Sequence, residues 1–429
     1  MNVILSIPRQ LVKRGYLLTA LFLMMLGIGK IHFSKAQLIS GDGIYYYAQV
    51  RSLIKDLDWN FSNDLKMYQP DHAPRKMHTH PETGRVINKY PVGSSLLWLP
   101  FLLMAHIISF SLHIMGITMD VSGYGLLDQV LLLIGSIFYF LFSAHLLSLT
   151  ARMIFPDWKI PRFLGLAFLM LTTALYYTAV EPSMSHIPSL FSVSVFLYLS
   201  ILSIREKPNL WIALLYGASA ALMILVRNQN VFFLILPLFC LLNKDHYRWK
   251  HFFLSVLGGI IVLTPQFVYW KVIYNEWILY SYQGESFAYL AQPKFIEVLF
   301  SPVSGLVTWH PVHIFSITGL AAIAFSGRPY MRVFLILLLI QLFLYASWEC
   351  WWLGDSFGYR GLANALPLLF PGFVWVYHQA QKLDYLKQFY SIWTLLFLWN
   401  IYLLALYASG KIAHAGPLKW TDLFGWWTV

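Results

Sequence analysis

PVGSSLLWLPFLLMAHIISFSLHIMG, residues 91–116, is long and apolar enough to cross a bilayer, and whether it does so decides the topology of everything after it. It also carries Pro91, Pro100, His106 and His113. Other apolar runs lie near 16–38, 124–150, 162–180, 186–204, 210–226, 230–243, 252–274, 311–326, 332–346, 363–379 and 389–408. Suppose first that 91–116 does not cross. One side of the membrane then holds the N-terminus, with Arg9, Lys13 and Arg14, and five short loops. These loops carry Arg152, Lys159 and Arg162; Arg205 and Lys207; Lys244, Arg248 and Lys250; Arg328 and Arg332; and Lys382 and Lys387. That side has fifteen basic residues against the four acids Asp157, Glu206, Asp245 and Asp384, a net of +11, and the rest of the chain balances at fifteen of each. If 91–116 crossed, every later basic loop would face outward, against the positive-inside rule. The run therefore reads as a helix lying in, or dipping into, the outer interface. About eleven spans remain, with the N-terminus inside and the C-terminus outside.

Composition agrees with a membrane reading. Of 429 residues, 58% are hydrophobic and only 11% charged, against roughly 25% charged in a soluble domain. The mean hydropathy is +0.61. A soluble enzyme, a disordered chain and a secreted disulfide scaffold are all excluded. The net charge of +11 is accounted for by inner loops facing anionic lipid, so membrane lipids, not nucleic acid, are the expected partners. Cys240 sits in an apolar run and Cys350 in a polar loop, which makes neither a zinc spacing nor a disulfide. Residues 1–30 resemble a signal peptide, but no small-residue cleavage site follows directly, and the segment reads as a retained first span. The expected fold is an all-α polytopic membrane protein, one domain over 1–429. Segment 39–123 forms a long extracytoplasmic loop with interfacial helices. Segment 410–429, with Trp420, Trp426 and Trp427, forms a short interfacial tail.

The polar chemistry gathers on the outer side. Gly41-Asp42-Gly43-Ile44-Tyr45-Tyr46-Tyr47-Ala48 follows the first span, with Asp42 at the start of a predicted helix. An acid there serves as an N-cap or as a base held at the membrane surface, and the two readings are compatible. The loop ends Lys89-Tyr90-Pro91-Val92-Gly93. Lys89 reads as a snorkelling anchor or as a compact cation for a phosphate. Asp71, His72, His78, His80 and Glu82 lie between, at spacings that match no defined metal site. Glu181-Pro182 and His186 occupy the next outer turn, at a depth where ionisable groups are expensive and tend to be functional. Arg227-Asn228-Gln229-Asn230 forms another turn, and 275–310 a further long loop. The last segment, 348–361, has tryptophans that fit an interface belt, together with Asp355 and Arg360. Acids able to activate a hydroxyl, cations able to hold a phosphate and aromatic faces able to stack on a sugar suit group transfer from a lipid phosphate.

At these residues the chain resembles the GT-C superfamily of integral-membrane glycosyltransferases, nearest to the protein O-mannosyltransferase and aminoarabinose transferase-like branch. The resemblance is one of order and topology across roughly residues 10–380. It rests on Gly41-Asp42-Gly43 after the first span, Lys89-Tyr90-Pro91, Glu181-Pro182 and Ser356-Phe357-Gly358-Tyr359-Arg360. The first motif has one acid where the mannosyltransferases have two adjacent, and Tyr90 separates the lysine from its proline.

The resemblance implies an inverting glycosyltransferase with a polyprenyl-phosphate sugar donor and a glycan, lipid or protein acceptor. It implies residence in a bacterial inner membrane, with the site facing the periplasm or cell exterior. Asp42 would be the general base. Glu181 would orient the acceptor or hold a divalent cation, the one cofactor this reading leaves room for. Lys89 and Arg360 would stabilise the departing phosphate, with Asp355 positioning Arg360. Tyr46, His186 and Arg227 complete the expected substrate contacts. The rival class is a transporter or flippase for a lipid-linked saccharide, which calls for charged groups near mid-membrane and polar surfaces of similar size on both sides. Topology is testable in a background lacking both native cysteines. Thr83→Cys and Met119→Cys should both react with an impermeant thiol reagent in intact cells, and His246→Cys only after permeabilisation. Labelling of position 119 from the inner side alone would reverse the assignment of 91–116.

Overall fold

A computed structural model of the chain describes residues 9–34, 37–68, 78–205, 209–237, 249–282, 284–326, 329–412 and 418–424. Asp71, His72, Lys207, Cys240, Lys244, Arg248, Arg328, Trp426 and Trp427 lie outside the described residues. The described chain is helical, and its extended pairing is a single isolated bridge between Thr79 and Val86. In order the helices are α1 (Arg9–Ser34), α2 (Gly43–Arg51), α3 (Ser62–Tyr68), α4 (Gly93–Ile114), α5 (Leu126–Ile154), α6 (Leu164–Leu169), α7 (Ala174–Ala179), α8 (His186–Arg205), α9 (Leu210–Val226), α10 (Trp249–Tyr274), α11 (Phe295–Phe300), α12 (Leu306–Trp309), α13 (Val312–Ala324), α14 (Pro329–Ser347), α15 (Leu366–Lys382), α16 (Leu386–Ala408) and α17 (Trp420–Phe424). Seven of them, α1, α4, α5, α8, α10, α14 and α16, are long and apolar enough to cross a membrane, and α9 and α13 are shorter apolar helices. This is an all-α polytopic membrane protein. Where they are described, the apolar runs read from the sequence coincide with helix, though not always with one unbroken span; in 230–243 the described part is mainly a 3-10 turn and 238–243 lie outside the described residues.

Small residues let the helices approach closely, as packing between apolar helices in lipid requires. A Cβ on Gly217 of α9 would stand 1.7 Å from the Ser255 carbonyl oxygen of α10, and one on Gly258 would stand 2.1 Å from that of Leu214. The α13–α15 crossing is made the same way by Gly319 and Gly372. The run 162–180 is broken between α6 and α7. Its freed carbonyls are taken up by Asn400 Nδ2, which donates to Met170 O at 3.0 Å and to Thr172 O at 3.2 Å. Irregular backbone inside an apolar bundle persists only when it is re-satisfied in this way. The break has a further use, because Thr173 Oγ1 donates to Phe357 O at 2.7 Å. The stretch that carries Arg360 is thereby pinned to the interior.

α4 has the length of a span, packs along α5 through Trp98 and Phe101, and is tied to the loop segments on both sides of it. At its start, Ser95 Oγ donates to Tyr46 O at 2.8 Å, and a Cβ on Gly93 would meet the backbone of Leu225 and Val226, the last two residues of α9. Further along, Tyr139 Oη of α5 donates to Leu97 O at 2.6 Å, and Lys55 Nζ lies 2.5 Å from His106 Nδ1. The loop that follows returns to the same elements. Tyr47 Oη donates to Gly123 O, Arg51 Nε to Ser122 O at 3.0 Å and Lys55 Nζ to Val121 O at 2.9 Å. Both ends of α4 are therefore tied to α2 and the π-helical turn Ser52–Asp56 that extends it.

The same loop region buries an acid. Arg51 Nη1 lies 2.5 Å from Asp56 Oδ2 and 3.4 Å from Asp64 Oδ1, and its guanidinium stacks 4.1 Å from the Tyr124 ring centre. Asp64 is fully buried, and burial pushes its carboxyl up to about 7 against the opposing pull of Arg51. A carboxyl raised in the folded state leaves stability intact below its unfolded value and erodes it as pH rises toward the folded value. Stability should therefore fall from about pH 4 to pH 7. Asp64→Asn should remove this slope and stabilise the protein at pH 8 by about 4 kcal/mol, read as a higher thermal midpoint. Melting curves of both proteins between pH 4 and 8 check it, and a gap that fails to narrow on acidification would count against it.

Candidate functional site

Asp42 is placed by what flanks it. Gly41 adopts a left-handed φ of 55°, which a side chain would strain. Gly43 packs so tightly on the turn before α8 that a Cβ would stand 2.0 Å from Ser183 Oγ and 2.6 Å from Ser183 Cβ. Ser183 straps the segment from the other side, donating to Leu38 O at 3.1 Å and accepting from Ser40 N at 3.3 Å. Asp42 takes the N-cap position of α2 but makes no side-chain capping bond. Its carboxylate turns away from the helix. Oδ1 accepts from Tyr90 Oη at 2.7 Å, and Oδ2 lies 3.9 Å from Arg360 Nη2. Asp42 remains 44% exposed while Arg360 is 16% exposed, so the acid sits at the mouth and the guanidinium behind it.

Arg360 is held from several directions. Its Nη2 donates to Leu353 O at 2.6 Å, and Tyr177 bonds the same side chain. Burial works against its charge, but Tyr177, Asp42 and Glu181 more than offset this, and its proton is held more tightly than usual. Glu181 sits in the turn between α7 and α8, bonded to Tyr176 and facing Lys30 and Arg360. Burial raises its carboxyl, with Lys30, Arg360 and Tyr176 opposing. His186 opens α8 beneath the Tyr177 ring, centroid to centroid 4.4 Å. Arg227 Nη1 lies 3.2 Å from His186 Nδ1. A guanidinium can only donate, so Nδ1 accepts and the ring proton resides on Nε2, leaving a neutral imidazole. The other contact of Arg227 is Gly361 O at 3.4 Å.

An aromatic wall completes one side. Tyr90 packs 4.9 Å from Tyr46, 5.4 Å from Tyr45 and 6.4 Å from Tyr282, centroid to centroid. Burial and the nearby Asp42 push the Tyr46 hydroxyl up to about 12. Lys89 is not a bare cation. It pairs with Glu285 and lies 5.4 Å and 5.2 Å from the ring centres of Tyr90 and Tyr282. Any phosphate contact by Lys89 means exchanging Glu285 for the ligand.

Asp42, Tyr46, Glu181, His186, Arg227 and Arg360 thus converge, with Lys89 at the rim. Asp355 does not join them. Left-handed turns at Leu353 (φ 64°) and Gly354 (φ 66°) reverse the chain and leave Asp355 exposed, its charge felt at Tyr407. The carboxylates facing Arg360 are Asp42 and Glu181 instead. Of the first-loop groups that are described, His80 and Glu82 stay apart from the site. His80 packs 5.8 Å from Tyr274, centroid to centroid, and Glu82 accepts from Asn275 at 3.0 Å. Among the described residues no three His, Cys, Asp or Glu side chains gather as a metal site. Sequence reasoning missed Lys30, Tyr90, Tyr177, Tyr282 and Glu285. Only Lys30 carried a signal, as an ionisable residue inside an apolar span.

No protein-family model matches the sequence, and no curated protein matches it. Among solved structures, the chain is similar to the archaeal oligosaccharyltransferase AglB from Archaeoglobus fulgidus, solved in complex with an inhibitory peptide and a dolichol-phosphate. The two share 13% identity at a TM-score of 0.46, over 95% of this chain and 57% of that one. The chain therefore spans little more than half of that enzyme, and likeness at this level assigns neither activity nor residues.

Gly43→Ala should strain the strap between Asp42 and Ser183. The expected cost is about 1–3 kcal/mol, read as a lower thermal midpoint. Gly15→Ala, at a helical glycine with nothing within 4 Å, serves as the control and should be neutral or mildly stabilising.

Proposed function

We propose that this protein is a membrane glycosyltransferase that moves a sugar from a polyprenyl-phosphate donor to an acceptor hydroxyl, with inversion and with Asp42 as general base. The observation that carries the reading is the Asp42 carboxylate, released from capping and held by Tyr90 and Arg360 at the mouth of an apolar bundle. In the proposed step the acceptor hydroxyl gives its proton to Asp42, and its oxygen attacks the anomeric carbon. The bond from that carbon to the phosphate oxygen breaks on the opposite face, and both electrons leave with the phosphate. Arg360 and Arg227 receive the growing negative charge, since a guanidinium binds phosphate through two donors at once. Lys89 adds to this once Glu285 gives way. The faces of Tyr46, Tyr90 and Tyr282 offer a stacking wall for the sugar. The bilayer supplies the lipid donor from the side, at the end of the bundle where α4 lies. Asp42 and the site are read as facing the periplasm or the cell exterior of a bacterial inner membrane, on the charge partition of the loops.

Asp42→Asn keeps the shape of the side chain and removes only the proton-accepting charge. Loss of a general base costs roughly 10²–10⁴-fold in rate. The variant should fold, with a somewhat lower melting point because Arg360 loses one of its two acids, still bind a polyprenyl-phosphate hexose, and transfer it at that reduced rate. The measurement is turnover of radiolabelled donor in proteoliposomes. Near-normal transfer by this variant would remove Asp42 from the chemistry.

A further inference from the structure

Lys30 lies near the site end of α1, inside a candidate span. A cation there has an ordinary explanation as a partner for the carbonyls of its own helix end. The structure gives it other work. Its Nζ donates to Val180 O at 2.8 Å, on a different segment, and its charge faces Glu181. One turn earlier on the same face, Gly27 brings α1 so close that a Cβ would stand 2.8 Å from Ala179 O. Gly27 thus clears the space and Lys30 fills it, directly behind the turn that carries Glu181.

Glu181 is consequently faced by protein groups from several elements. Lys30 faces it from α1, Tyr176 bonds it from α7 and Arg360 faces it from the loop, with Asp42 beyond. Glu181 stays partly exposed, but the groups facing it are two cations and a phenol. Among the described residues no three His, Cys, Asp or Glu side chains gather to give an inner-sphere metal ion the several oxygen or nitrogen ligands it needs. Asp42 likewise has Tyr90 on one oxygen and Arg360 near the other. The donor set does not fit a divalent cation held by Glu181.

We propose that Lys30 is the built-in counter-cation of Glu181 and a positioning residue that acts through it: Lys30 holds Glu181, Glu181 shares Arg360 with Asp42, and the site works without a divalent cation. The inference rests on the transferase reading for its substrate, but the charge chain itself can be measured without any transfer. With Lys30 removed, Glu181 has Arg360 as its one remaining cation and draws it away from Asp42 and from the phosphate. With Glu181 also neutralised, Arg360 has one acid left and returns.

The experiment is a double-mutant cycle on the full chain in nanodiscs, using Lys30→Met, Glu181→Gln and the pair. It is read by thermal unfolding and by affinity for sugar-free polyprenyl phosphate, with and without EDTA. Lys30→Met should weaken phosphate binding roughly 10–100-fold, the worth of a charge-assisted hydrogen bond, and Lys30→Arg should retain most of it. The double variant should recover most of the loss, and the unfolding data should show the same coupling. EDTA should change nothing in the wild type. Additive losses in both readouts would overturn the proposal, as would wild-type binding that fails in EDTA and returns with Mg²⁺ or Mn²⁺. If the coupling appears but no sugar is ever transferred, the transferase reading fails and the charge chain stands. If transfer occurs without coupling, the reverse holds.

Discussion

A guanidinium shared by two carboxylates is the constraint around which this end of the molecule is built. Arg360 is largely buried, and a buried charge costs several kcal/mol unless it is paired and hydrogen-bonded on all sides. Asp42, the 177–181 stretch with Tyr177 and Glu181, and the Leu353 carbonyl of the arginine's own loop meet that demand. None of these partners is local in the sense of a helical neighbour. The position of Arg360 is therefore a product of the tertiary fold, and the fold must hold those stretches in register for the charge to be tolerated.

The irregular backbone follows from the same need. A continuous helix over 164–179 would satisfy its own carbonyls and offer nothing to the loop beside it. The break at 170–173 instead frees Thr173 to bind Phe357 O, while Asn400 takes the carbonyls the break exposes. Phe357 N in turn donates to Tyr177 Oη at 3.1 Å. The loop ahead of Arg360 is thus fixed by two hydrogen bonds from the broken span, and Tyr177 reaches Arg360 from the same piece of helix. A span that looks defective in isolation is the element that aims the guanidinium.

These facts set what could be read in advance. The runs of apolar residues were enough to find most of the described helices, because apolarity along the chain depends on composition alone. Asp42 was legible because two glycines around an acid have few ordinary uses. Arg360, Glu181 and Arg227 stood out as charges in apolar surroundings. The pairings did not. Lys30 meets Val180 across 150 positions, and Lys89 meets Glu285 across 196, separations that no local pattern encodes. The resemblance paired Asp355 with Arg360, but left-handed residues at Leu353 and Gly354 turn the chain just ahead of Asp355 and leave it exposed. The break in 162–180 was invisible because its residues are as apolar as those of an intact span.

Formal charge ties the geometry to the proposed chemistry. Around Asp42 the described cations are Lys30, Arg227 and Arg360, and the acids are Asp42 and Glu181, with His186 neutral and Lys89 cancelled by Glu285. With Glu181 ionised against Lys30, the cluster is left with one positive charge, carried in effect by Arg227, whose partners are a neutral ring and a carbonyl. A sugar–phosphate–lipid diester brings one negative charge and neutralises it. After transfer in the proposed step, Asp42 holds the acceptor proton and the cluster has gained a positive charge, while the lipid phosphate has become a monoester able to carry two negative charges. The site and its ligand stay balanced on both sides of the reaction. Beside the largely buried Arg360, where uncompensated charge is costly, that balance lets the proton move to Asp42 in the proposed step at the same time as the phosphate departs, with neither change leaving a bare charge behind.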